Sequence, residues 1–237
     1  MADEALLKRV SEVRRVLETA SEGRYAPPRL IAVTKTHSAE EILPLLEAGI
    51  TEIGENRVQE ILAKQEALAG KFSIHLIGSL QTNKVKYIMK GVCLIQSVDR
   101  LKLAEEISRQ AVRQETVMPV LVQVSPVGEQ QKGGVLPEEV RPLLRAISGM
   151  EGLKVRGLMA VMPAWQDQEA LEPLFAQMRT LYDHLRQEAL PGIEMEELSM
   201  GMSGDYPLAA RYGATMVRVG SAIMGARDYG RRMEDLK

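Results

Sequence analysis

Eight short apolar runs rich in β-formers, each followed by a stretch of helical period, predict an α/β protein built as a single (β/α)8 TIM-type barrel. Three observations carry this reading. The strict alternation implies a parallel sheet with right-handed crossovers. The 237 residues suit one such barrel, which takes about 250. Little chain is left over, only an extra N-terminal helix and one short helix after the last strand, so 1–237 reads as one barrel domain. A doubly wound open sheet is the alternative. It normally opens with a Gly-rich loop, whereas the first loop here is Lys35-Thr-His-Ser.

The extra helix is Glu4 to Ala20, with Leu6-Leu7, Val10, Val13 and Leu17 on its apolar face, and Pro27-Pro28 ends the connection from it. The strands are then Leu30 to Thr34, Thr51 to Gly54, Ile74 to Gly78, Val92 to Gln96, Val120 to Val124, Val155 to Val161, Glu196 to Ser199 and Thr215 to Val219. The second and seventh gain their support from their place in the order. Ser38 caps a helix through Glu47, with Glu41 at capping-box spacing and Gly49 beyond its end. Further helices are Arg57 to Leu68, Leu101 to Gln114, Glu138 to Ile147 behind Pro137, Glu169 to Glu188 and Tyr206 to Tyr212.

Composition narrows the function. With 30 basic against 32 acidic side chains and a net charge of -2, there is no electrostatic footprint for nucleic acid. No apolar run approaches the roughly 20 residues of a membrane-spanning helix, and the acidic start is not a signal peptide. The single cysteine, Cys93, cannot form an intramolecular disulfide, which favours a reducing, cytoplasmic compartment. Within Gly91-Val-Cys-Leu-Ile it reads as a buried small hydrophobe rather than a nucleophile. His37, His75 and His184 show no metal-ligand spacing, so no metal is expected.

Functional residues of a barrel cluster at the carboxyl ends of its strands. The first strand ends in Val33-Thr34-Lys35. If Lys35 points inward, so do Ile31 and Val33, because strand side chains alternate. A lysine desolvated at the barrel mouth has an amine free to attack a carbonyl; a lysine that has merely reached solvent is the plainer reading. After strand seven comes Ser199-Met-Gly-Met-Ser-Gly-Asp205, and after strand eight Val219-Gly-Ser-Ala-Ile-Met-Gly225. Loops at these two places form the recurrent phosphate site of this fold. A lysine and a phosphate cradle together suggest a phosphorylated carbonyl compound, either pyridoxal 5'-phosphate or a phosphorylated sugar. Asn56 offers a donor to a ring hydroxyl or, equally, a helix cap. His75 reads as a packed histidine. Arg218 within strand eight needs an anion or ring nitrogen if inward, or a salt bridge to a helix if outward.

At these residues the chain resembles the pyridoxal phosphate homeostasis protein family. The matching blocks are Leu30 to Lys35, Gly54 to Glu60, His75 to Lys84, Gly157 to Ala160, Leu198 to Ser203 and Val217 to Arg227. The resemblance implies a barrel like the N-terminal domain of alanine racemase, with pyridoxal 5'-phosphate held as a Schiff base on Lys35. It further implies that Ser203, Gly204, Gly220 and Ser221 hold the phosphate, that Asn56 and Met200 lie near the cofactor, and that Arg218 faces the pyridine nitrogen. The chain departs from the usual pattern at Ser79, at Gln96 where histidine is common, and at Lys132-Gly133-Gly134. These departures are expected to bear on loop detail rather than on the cofactor.

The expected function is intracellular homeostasis of pyridoxal phosphate, binding without evident turnover, with cofactor-requiring enzymes as recipients and the protein a monomer. An amino acid racemase is the alternative. It needs a base on each face of the cofactor, and none of Tyr25, Tyr87, Tyr182, Tyr206, Tyr212 and Tyr229 carries a signature for that role. Schiff-base aldolases commonly place their lysine on strand six, where this chain has Gly157-Leu-Met-Ala-Val.

Overall fold

A computed structural model describes residues 3–164 and 167–225. The eight expected strands are all present and close in chain order into a parallel barrel, which excludes the open sheet. They are β1 Arg29–Val33, β2 Glu52–Glu55, β3 Ser73–Leu76, β4 Leu94–Val98, β5 Met118–Val124, β6 Leu153–Ala160, β7 Ile193–Ser199 and β8 Met216–Val219. The helices are α1 Glu4–Ser21, α2 Ala39–Ile42, α3 Val58–Leu68, α4 Leu101–Arg113, α5 Pro137–Ile147, α6 Gln168–Arg186, α7 Tyr206–Arg211 and α8 Ser221–Met224.

Several elements differ from expectation: β7 begins three residues earlier, at Ile193, and a short 3₁₀ turn spans Gln130–Lys132. The helix begun at Ser38 keeps its capping box with Glu41, but gives way at once to a 3₁₀ turn over Leu43–Leu46 that has Pro44 in its first turn. Proline has no N–H to continue an α-helical ladder. Strand β4 starts two residues late and runs through Gln96 and Ser97, both buried. Polar side chains that look like a strand end are therefore strand interior. The connection before it carries an unexpected 3₁₀ turn, Thr82–Tyr87.

Alternation along the strands divides the apolar residues into two sets. Outward-facing side chains such as Ala32, Ile53, Val217 and Val219 join the helices in one continuous layer. Inward-facing Ile31, Leu94, Leu121, Met159 and Met216 form a separate small cluster inside the barrel. Gly157, at φ 148, marks a local shift of register against both neighbouring strands. A Cβ there would lie 1.8 Å from the Glu197 carbonyl oxygen, so only glycine lets β6 and β7 approach.

The N-terminal helix bears directly on the mouth. Asp3 caps it by accepting the Ala5 N–H. It buries Leu6, Val10, Val13 and Leu17, while Leu7 faces solvent. Arg9 donates to the Ile223 carbonyl at 2.6 Å, which ties α1 to the turn after β8.

Candidate functional site

The register brings the ends of β7, β8, β1 and β2 side by side. Ile31 pairs with Arg218 and Ala32 with Val219, so Val33 lies against Gly220, where a Cβ would sit 3.4 Å from the valine side chain. Lys35 follows β1 by two residues and is half-buried. Its neighbours are fixed: the Thr34 N–H donates to the Gly54 carbonyl at 3.1 Å, and Thr36 occupies the left-handed region at φ 69. A β-branched residue adopts that conformation only where its surroundings impose it.

The two Gly/Ser loops are joined through one atom. The hydroxyl oxygen of Ser203 accepts the backbone N–H of Gly220 at 3.1 Å and that of Ala222 at 3.4 Å. The loop after β8 thus aims two amide donors at one point between the loops. Asp205 is buried, and its carboxylate accepts the Met202 N–H at 2.5 Å. Burial pushes its carboxyl above the usual range, opposed by that bond and by the Arg218 charge. Gly201, at φ 94, leaves no room for a side chain, since a Cβ would meet Ala209 at 2.5 Å. Gly204 and Ser221 are exposed at the rim, and Met200 is fully buried beneath it.

Arg218 points into the barrel and is 3% exposed; the outward salt bridge is excluded. One terminal nitrogen donates to Ser199 Oγ at 2.6 Å and the other to the Ala160 carbonyl at 2.7 Å. Burial pulls its pKa down to about 10, so it remains a cation at neutral pH. Behind it runs a chain that sequence reasoning missed. The Ser199 hydroxyl donates to Gln96 Oε1 at 2.7 Å, and Gln96 Nε2 lies 3.0 Å from His75 Nδ1. His75 Nε2 lies 3.6 Å from Glu52 at the amino-terminal end of the barrel. Desolvation, with the Arg29 charge, lowers the His75 pKa to about 4. Gln96, expected to concern loop detail, is therefore one side chain away from Arg218. The departure from the resembled pattern at Gln96 was the available signal.

Asn56 is half-buried and is not a cap: α3 begins after Arg57 and has no side-chain cap bond. Its backbone instead forces glycine at position 78, where a Cβ would lie 2.3 Å from the Asn56 carbonyl oxygen. Lys132 donates to the Met162 carbonyl at 3.1 Å and pairs with Glu129 at 2.7 Å. Cys93 is exposed at the start of β4 rather than buried, because the strand begins after it. Its Sγ lies 3.3 Å from the Ile74 carbonyl oxygen. The protein packed around the sulfur, with the Glu52 charge, raises the thiol to about 11, which disfavours the thiolate. Among the described residues no group of histidine, cysteine, aspartate and glutamate could hold a metal, and no helix is long and apolar enough to cross a membrane. Trp165, which in the sequence reads as a loop tryptophan covering the barrel rim or, alternatively, as part of a contact surface, lies outside the described residues. Gln168, close behind it, donates to the Gly204 carbonyl at 3.2 Å.

A barrel with these mouth loops is the architecture of the alanine racemase N-terminal domain, and the model of that family matches residues 7–228. The chain belongs to this family. Alanine racemase from Clostridium difficile has the same fold at a TM-score of 0.72 and 15% identity, with 98% of this chain and 62% of that one aligned.

Nearer relatives are more specific. The pyridoxal phosphate homeostasis protein of Aquifex aeolicus is 40% identical over 229 residues, covering 96% of this chain and 99% of that one. That of Pseudomonas aeruginosa is 36% identical over 228 residues, 96% of each. The chain belongs to the pyridoxal phosphate homeostasis protein family. PipY of Synechococcus elongatus, solved with PLP bound, aligns at a TM-score of 0.81 and 36% identity over 93% of this chain and all of that one.

Proposed function

We propose that this chain binds pyridoxal 5'-phosphate through Lys35 and serves as a holder and donor of that cofactor, with no substrate turnover of its own. The observation that carries the proposal is the pair of amide donors from Gly220 and Ala222 converging on Ser203, next to the strand that ends in Lys35. A phosphate that took the place of the Ser203 hydroxyl there would be met by donors already aimed, with that hydroxyl turned to donate to it, and the glycines let it approach. The proposed binding set is Lys35, Asn56, Met200, Ser203, Gly204, Arg218, Gly220 and Ser221. Bound there, the cofactor supplies an aldehyde that condenses with a primary amine with loss of one water.

Arg218 supports the holder reading. A guanidinium only donates hydrogen bonds and has no acceptor. Facing the ring nitrogen, it would leave that nitrogen unprotonated and the ring a weak electron sink. The tyrosines support it too. Tyr182, Tyr206 and Tyr212 pack into the outer apolar layer. Tyr25 lies under Arg179 and Tyr87 beside Lys84 and Lys86. Each of these five is engaged away from the barrel interior, so among the described residues no tyrosine is placed as the second base of a racemase; Tyr229 lies outside the described residues. Cofactor-requiring enzymes as recipients, a monomeric state, a single barrel domain over 1–237 and a cytoplasmic setting complete the proposal.

The test is the visible spectrum of the purified protein with pyridoxal phosphate, beside Lys35→Ala. A band in the wild type that is absent from the variant is expected, with no measurable racemisation of amino acids. A missing band in both would end the cofactor reading. A band with turnover would replace the holder by a racemase.

A further inference from the structure

The outer side of the barrel wall behind Lys35 holds an ion cluster that the binding set does not use. Glu55, at the end of β2, is fully buried, Lys64 is 6% exposed and Glu60 is 9% exposed. Glu60 and Lys64 are one turn apart on α3, with Lys64 Nζ 3.7 Å from Glu60 and 2.8 Å from Glu55 Oε1. Among the described residues, the further side-chain hydrogen bonds of this cluster are with the two residues flanking Lys35. Lys64 Nζ donates to the Thr34 carbonyl at 3.0 Å. The Thr34 hydroxyl donates to Glu55 Oε1 at 2.6 Å. The Thr36 N–H donates to Glu60 Oε2 at 2.8 Å.

We infer that Glu60 and Lys64, with Glu55, are positioning residues for Lys35: they hold the backbone before and after it in the left-handed turn that sets where its amine stands. The inference rests on the reading that Lys35 carries the cofactor. Its physical basis is that Thr36 at φ 69 is strained, and a strained backbone persists only where its surroundings over-determine it. Apolar side chains would fasten α3 to the sheet with less desolvation than three buried charges do. What apolar contacts cannot do is direct a carbonyl and an amide on either side of one residue. Glu55 Oε2 is buried without a hydrogen-bond partner among the described residues. That cost serves direction rather than cohesion.

The test uses the full chain, reconstituted with pyridoxal phosphate, as wild type, Glu60→Ala, Glu60→Gln, Lys64→Met and Lys35→Ala. Two quantities are read: the apparent dissociation constant from the visible band, and the fraction linked to Lys35 by mass spectrometry after borohydride reduction. Glu60→Ala is expected to weaken binding about tenfold, the effect of losing one charge-assisted hydrogen bond, and to lower the linked fraction at saturation. Glu60→Gln keeps an acceptor for the Thr36 N–H and should recover most of both. Lys64→Met should resemble Glu60→Ala. If it fails to fold, the two Glu60 variants decide alone, since they leave the Lys64–Glu55 pair in place. A lower melting temperature with unchanged affinity and linked fraction would reduce the cluster to structure and overturn the inference. Absence of linkage at Lys35 in the wild type would instead overturn the reading beneath it.

Discussion

The inside of the barrel and the layer around it are built on different rules. Around the sheet, apolar side chains form one unbroken cluster that reaches from Leu6 on α1 to Ile223 on α8. Inside, a separate cluster of five buried apolar residues lies beside a file of polar groups that runs from Glu52 through His75, Gln96 and Ser199 to Arg218. The layer holds the fold by area removed from water, a non-directional force in which volume matters most. The interior has direction. From His75 to Arg218 each group is hydrogen-bonded to the next, and the file ends on a cation beneath the mouth.

The largest effect that separates the two belongs to the layer. Phe175 on α6 is fully buried and stacks on Tyr212 with ring centroids 6.5 Å apart. Phe175→Ala should cost about 3–5 kcal/mol in urea unfolding. The affinity for pyridoxal phosphate, measured well below the melting temperature, should stay near that of the wild type. An equal loss of affinity would mean that the layer and the mouth do not act separately.

The next effect belongs to the interior and depends on pH. His75 has a folded-state pKa near 4 against an ordinary 6.5. Between those values the unfolded chain takes up a proton that the folded chain refuses. The stability contributed is present above pH 6.5 and is lost as pH falls toward 4, by on the order of 3 kcal/mol. Unfolding free energies measured at pH 7 and pH 4.5 should therefore differ more for the wild type than for His75→Gln. Glu55 acts in the opposite sense. Burial raises its carboxyl, and stability falls as pH rises through that raised value, so the His75→Gln comparison is needed to isolate the histidine. Parallel pH curves for the two proteins would remove His75 from the file.

These two regions were unequally legible in the sequence. The layer is written locally: Val10, Val13 and Leu17 recur at helical spacing, and β-rich runs recur between helices, so all eight strands were found. Lys35 and the Gly/Ser loops were legible because a lysine at a strand end and glycines after strands seven and eight are local features with a place in this fold. The file was not. His75 and Gln96 are 21 residues apart and Gln96 and Ser199 are 103 apart, and nothing local to either says that closure of the sheet will make them neighbours. Gln96 itself looked like the end of a strand. The ion cluster failed to show for a related reason: Glu60 and Lys64 have the spacing of an ordinary solvent-exposed helical pair, and only the packing of α3 on β1 and β2 buries them.

The smallest effect is the sharpest test of the contrast, because it can be matched for size. Ser199 faces inward and bridges Arg218 to Gln96. Val217, one residue before Arg218 on the same strand, faces outward and is fully buried in the layer. Val217→Ala removes two methyl groups, at roughly 2 kcal/mol. Ser199→Ala removes one hydroxyl but strands a guanidinium N–H and an amide oxygen inside the barrel, at about 1–3 kcal/mol. Urea unfolding should hardly tell the two variants apart. The bound cofactor should: Ser199→Ala frees the Arg218 side chain to tilt away from the ring and shifts the visible band, whereas Val217→Ala leaves it in place. Equal band positions in both would show that the polar file fills space as the layer does, and the directional role assigned to it would be lost.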